Sequence, residues 1–472
     1  MNKTKLSQFL LLLLFVSSLS FETGCSSSMS NSSPAPVQAG ATQVSLTLRD
    51  APPTGVTVIS FKIEIVGAAL QSSSGNVSLL NGSEPLEFEL TKLETESAFL
   101  GTSQVSAGTY TGMQVTLANP DLTVFNNSGS AVGPCPNNTT CEFAPAVSGS
   151  LTYTGPPFPL TLNANSPSGL QIDVNLNNII NSDFTLNLTN PSVLTVTQVS
   201  APSGNGESDE NEITGVIKSL GTNQFVLQDP LSGTTLTINV NAQTEYDGFD
   251  DIGCQSQTFS CLATGQIVEV DQTVMPDGTL VAQKVDLKDQ NSEGEAVEGS
   301  IVSLTGNPPT GFQMVVLDEV SNVSGVSVGN SVVVAIQPGA VFQEDPSDVS
   351  IPSDLSFGSS SDLAVGQEVH IQASSVSAGP PITIATGSIR LTDSQITASV
   401  ASVNGGTITL NNLPGQFTTA GITQIAVRTS SLTEFEDVSG TGALNPGDIV
   451  SVRGFLFSTT PPTLVAEKVR KR

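Results

Sequence analysis

Nine residues recur three times in the second half of the chain and narrow what it can fold into. LATGQIVEV, LAVGQEVHI and LNPGDIVSV share one frame around Gly265, Gly366 and Gly447. Leu262, Leu363 and Leu444 lie three before the glycine, and Val268/Val270, Val369/Ile371 and Val450/Val452 lie three and five after it. Apolar residues two apart behind a glycine describe a turn that feeds a strand with one buried face. Each copy closes on a matching strand, LVAQKVDL, IATGSIRL or LVAEKVRK, and opens alike with TGVIKSL, EGSIVSL or TASVASV. TEY at Thr244 corresponds to TEF at Thr433, and AVF at Ala340 more loosely. Three β units are therefore expected over 213–288, 296–393 and 396–472. A period of roughly 80 to 100 residues is too long for a solenoid turn. Each copy is expected to close its own core as a bead in tandem, a small, partly open OB-like barrel of about five strands.

The first half carries a different β pattern. In ISFKIEIV, Ile59, Phe61, Ile63 and Ile65 alternate with Ser60, Lys62 and Glu64; LQIDVNL alternates likewise through Leu170, Ile172, Val174 and Leu176, and FTLNL through Phe184, Leu186 and Leu188. Period two with one apolar face predicts antiparallel strands in a two-layer β-sandwich over 43–200. Thr91–Leu100 is the one short helical candidate. SAPSGNGESDENE and DQNSEGEAVE read as acidic linkers at 201–212 and 289–295; they lack the ordered spacing of a calcium loop. The fold class expected is thus all-β, a sandwich followed by three barrels.

Both halves resemble known families. VSLTLRDAPPTGVTVISFKIEIVGAAL, LEFELTKL and VSAGTYTGMQVTL are similar to a family of bacterial surface lipoprotein domains, domain of unknown function 4382. The G-x-x-V-x-V strand and the closing A-x-x-V strand of the repeat resemble domain of unknown function 5666. The first resemblance implies surface attachment and brings no catalytic residue. OB-like barrels often bind oligonucleotides or sugars, an association with the fold rather than with residues of this chain.

The beginning of the chain reads as an export signal. Lys3 and Lys5 precede the apolar run Phe9–Val16, too short to span a bilayer. Residues 1–25 are expected to be signal sequence and 26–42 a Ser-rich tether. Cleavage after Ser20, behind Ser18, is one route. The other is acylation of Cys25, since Thr23-Gly24-Cys25 ends like a lipobox, although Glu22 stands where such a motif usually has leucine. The five cysteines weigh on the choice. Cys135/Cys141 and Cys254/Cys261 form two local pairs, expected as disulfides of roughly 2 kcal/mol each. That leaves Cys25, a liability as a free thiol outside the cytoplasm, which favours lipidation. The localisation expected is exported, in the cell envelope and anchored to the outer membrane by lipid, with soluble secretion as the alternative.

Chemistry is sparse. Asp and Glu outnumber Lys and Arg 43 to 15, so nucleic acid is not an expected partner. There is no G-x-S-x-G, H-E-x-x-H or Walker-type loop, and neither metal nor cofactor is expected. The one histidine, His370, corresponds to Glu269 and Ser451 in the other repeats and is expected on the outward, polar face. Trp is absent, and Tyr110, Tyr153 and Tyr246 are scattered, which disfavours a sugar-stacking site. The basic end KVRKR, Lys468 to Arg472, reads as a solvated tail. The function expected is non-enzymatic: a lipid-anchored protein presenting binding or spacer modules toward an extracellular polymer or protein. A polysaccharide-active enzyme using paired carboxylates is the alternative.

Overall fold

Alternating strands account for nearly everything in the computed structural model, which describes residues 40–51, 57–80, 86–95, 98–147, 149–199, 211–228, 235–249, 252–275, 279–289, 296–318, 323, 325–344 and 349–472. The signal sequence, most of the tether, residues 201–210 of the first linker and 290–295 of the second lie outside the described residues, as does Cys25. Glu212 and Asp289, expected in linkers, belong to strands Asn211–Leu220 and Leu280–Asp289.

The N-terminal domain is a sandwich of two sheets. One orders its strands Leu194–Val199, Ser168–Asn175, Ala41–Ala51, Ala98–Ser106. The other is built on the long pair Thr57–Ser72 and Gly112–Asn126. Val44, Leu46 and Leu48 of the first sheet meet Phe61, Ile63 and Ile65 of the second in one core.

Three details correct the sequence reading. Ala41–Ala51 pairs parallel with Ser168–Asn175, so the sheet is mixed rather than antiparallel. FTLNL is not a strand: Phe184 adopts φ 65°, and Thr185 donates its amide to Asp183 Oδ1, turning the chain. Phe184 is still buried, its ring 4.9 Å from that of Phe143. The helical candidate is a 3-10 turn, Leu90–Glu94, after which strand Ala98–Ser106 begins.

The three repeats are barrels with one strand order. Leaving aside the short strands Glu245–Asp247 and Glu434–Glu436, which add a sixth to the first and third repeats, and calling the other strands of a repeat first to fifth in sequence, the order is first–second–third–fifth–fourth, and the fourth returns to the first. The third and fifth strands run parallel in each. This is closure where a partly open barrel was expected, and the shared glycine explains part of it. Gly265, Gly366 and Gly447 adopt φ of 90°, 86° and 94°. Their amides donate, each at 2.8 Å, to the carbonyls of Ile217, Ile301 and Val400 in the first strand. The turn thus fastens the fourth strand to the first in every copy. Thr244 and Thr433, leading TEY and TEF, likewise donate their hydroxyls to Ala282 and Ala466 at 2.8 Å.

The second and third barrels are not independent beads. Phe455, Phe457 and Val465 of the third barrel enter the core of the second, while neighbouring Leu456 and Leu464 stay in their own. Ile59 and Phe125 of the sandwich pack against Val302, Val315 and Leu317 of the second barrel. Ile59 therefore leaves the sandwich core that its alternation predicted, because the ladder shifts register between Val58 and Ser60.

Candidate functional site at the seam between sandwich and barrels

The sequence LEFELTKLET places two glutamates around one 3-10 turn. Glu89 caps the turn at its start, and Glu94 ends it. Glu89 is buried, and among the described residues its partners are neutral donors. It accepts from Ser60 Oγ at 2.5 Å, from the Phe61 amide at 2.8 Å, and from the Thr91 amide and hydroxyl at 3.0 and 2.8 Å. Burial pushes its carboxyl above the usual range despite these donors.

From this anchored start the turn reaches both neighbouring barrels. Lys92 lies 3.3 Å from Asp318 and 3.8 Å from Glu298 of the second barrel. Gln395 of the third barrel receives the Thr95 hydroxyl and donates its amide to the Thr91 carbonyl. Glu94 meets the third barrel twice. Its carboxylate accepts from Thr397, and its carbonyl accepts from Arg470 Nη1 at 3.2 Å and from Arg472. Burial raises the Glu94 carboxyl more than Arg472, Thr397 and Arg470 lower it.

A second charged cluster adjoins the first. Arg49, on the central strand of the sandwich, pairs with Glu436 of the third barrel. Glu436 also lies 3.5 Å from both Lys468 and Arg470. Burial opposes its charge, but Arg49, Lys468 and Arg470 outweigh burial and hold it below the usual carboxylate range. The basic end is therefore not a solvated tail. Lys468 and Arg470 are only 3% and 6% exposed, on strand Thr463–Lys471, and Lys471 pairs with Asp448 at 2.8 Å.

The seam escaped sequence reasoning because its partners lie some two to four hundred residues apart. One signal was present: Lys468, Arg470 and Arg472 alternate on the polar face of a strand in a chain poor in cations.

The other singled-out residues are distributed over the molecule. Cys135–Cys141 and Cys254–Cys261 are disulfides, in the sandwich and in the first barrel. His370 stands opposite Glu298 and Arg390 in the second barrel, on the polar face of its strand. Tyr110 is buried and donates to the Ser106 carbonyl, Tyr153 donates to that of Pro156, and burial pushes the Tyr246 hydroxyl up to about 12. Among the described residues no group of His, Cys, Asp and Glu is arranged to hold a metal ion, and no helix is long and apolar enough to cross a membrane.

A sandwich joined to closed tandem barrels defines an all-β multidomain protein. Residues 41–205 match the family described as Domain of unknown function (DUF4382), and residues 214–286 and 397–470 match Domain of unknown function (DUF5666). The second barrel repeats the strand order of the two segments that match the latter family. No curated protein matches. Among solved structures, "drosophila Unr CSD456" is 13% identical over 56% of this chain and 98% of its own, with a TM-score of 0.14. A multidomain protein with nucleic acid binding domains from Streptococcus pneumoniae is 10% identical over 56% and 73%, with a TM-score of 0.11. Likenesses this slight carry no functional argument.

Proposed function

We propose that this chain is a non-enzymatic, lipid-anchored protein of a bacterial cell envelope that presents β modules to an extracellular polymer or protein. The observation that carries the reading is the use of cysteine. Four of the five are joined in two disulfides, the chemistry of an oxidising compartment, and the fifth, Cys25, follows the apolar leader. Acylation there would remove a lone thiol and attach the protein through several chains, which hold a membrane firmly where one chain does not. The buried carboxylates Glu89 and Glu94 support the non-enzymatic part, since internal donors occupy both. Loops at the barrel ends would then provide recognition.

Intact-mass analysis of the mature protein, with fractionation of Cys25→Ser, tests the anchor. A mature chain beginning at acylated Cys25, and release of the variant into the soluble fraction, are expected. A chain beginning at Phe21 with an unmodified thiol would leave a soluble secreted protein instead.

A further inference from the structure

The sandwich touches the second and third barrels by contacts in different proportion, and on the second an apolar patch stands beside the Lys92 ion pairs to Asp318 and Glu298. Against the second barrel it lays an apolar patch, Ile59 and Phe125 on Val302, Val315 and Leu317. Thr123 adds a hydrogen bond to the Gly329 carbonyl at 2.5 Å, and Glu142 accepts the Ser331 amide at 2.6 Å. Against the third barrel the contact is mainly charged and polar. Arg470 and Arg472 hold the carbonyl of Glu94, Thr397 holds its carboxylate, and Arg49 pairs with Glu436. The amide of Gly415 also donates to Thr57 Oγ1 at 2.6 Å. Apolar burial tolerates small rotations because it is non-directional, whereas a charged seam holds one geometry and fails when one side is removed.

We propose that the end of the chain is an internal clasp: Arg470 and Arg472 grip the Leu90–Glu94 turn and hold the sandwich on the third barrel, and loss of that grip lets the sandwich swing away from the third barrel while it stays on the second. The geometry favours this division. Arg472 lies just beyond strand Thr463–Lys471, so its side chain serves the seam more than the barrel; its Nε also donates to Ser451 at 3.0 Å. Without the two guanidinium groups the Glu94 carboxylate and carbonyl would stay buried and under-compensated, and opening would return them to water.

Two interdomain amides report on the two contacts separately. Amide hydrogen exchange of the full chain should show Gly415 exchanging about tenfold faster or more in Arg470→Ala/Arg472→Ala, as loss of charge-assisted hydrogen bonds implies. The Ser331 amide should keep its protection. Arg472→Ala alone leaves the last strand whole and should move Gly415 in the same direction by less. The clasp is overturned if Gly415 is unchanged in both variants. It is equally overturned if Gly415 and Ser331 lose protection together in Arg472→Ala, because the sandwich would then have no pivot on the second barrel.

Discussion

Glu89, Glu94 and Glu436 lie within one seam region, yet protons act on them with opposite sign. Burial places the first two above the ordinary 4.5 in the folded protein. Folding therefore takes up protons at these sites. Their contribution is fullest below pH 4.5 and declines as pH rises through the folded values. Glu436 is held below 4.5 by its three cations, so its contribution is complete above that pH and is lost as pH falls through the folded value. Urea midpoints should therefore rise as pH falls toward 4.5 and fall in acid below it. Glu94→Gln should flatten the upper limb of that profile, and Glu436→Gln the lower. An unchanged profile in both variants would mean that other carboxylates govern the acid response.

At the level of the element, the glycine turn makes a graded prediction. All three glycines hold a backbone conformation that L-residues avoid, so alanine at Gly265 or Gly447 should cost roughly 1–2 kcal/mol. A Cβ there meets nothing, whereas at Gly366 it would collide with the ring of Phe417 in the third barrel. Gly366→Ala should lower the chemical midpoint most, because it also separates two barrels. This turn was legible in the sequence, since leucine, glycine and two valine-like residues at fixed spacing leave few alternatives. The pairing partner of Ala41–Ala51 was not legible, because parallel and antiparallel neighbours demand the same alternation from a strand. FTLNL misled for the converse reason: its alternation is real, but Asp183 supplies a local turn that competes with the ladder. Phe455 and Phe457 were visible as an aromatic pair in RGFLF. They stand where the second repeat has Ser374 and Val376. That contrast marks them as a contact surface only once the neighbouring barrel is known. The seam itself was least legible, because its charges find their partners through the tertiary fold rather than through any local pattern.

At the scale of the whole molecule, the second and third barrels share side chains and the sandwich packs on the second. Phe457→Ala removes a ring that belongs to the third barrel by sequence and to the core of the second by packing. A loss of roughly 3 kcal/mol is expected, with tryptic susceptibility rising in both barrels. A loss confined to the third would restore the picture of separate beads. The mixed sheet has a mechanical consequence. Ala41–Ala51 is the entry strand of the described fold and lies inside its sheet, laddered to Ser168–Asn175 on one side and Ala98–Ser106 on the other. Tension arriving along an N-terminal tether would run parallel to this strand and across its hydrogen bonds. Both ladders would then be sheared together, rather than peeled one bond at a time. In single-molecule pulling the sandwich should rupture in one abrupt step at high force. A load entering at Ala41 would thus fall on a strand stitched along both edges rather than on an edge strand.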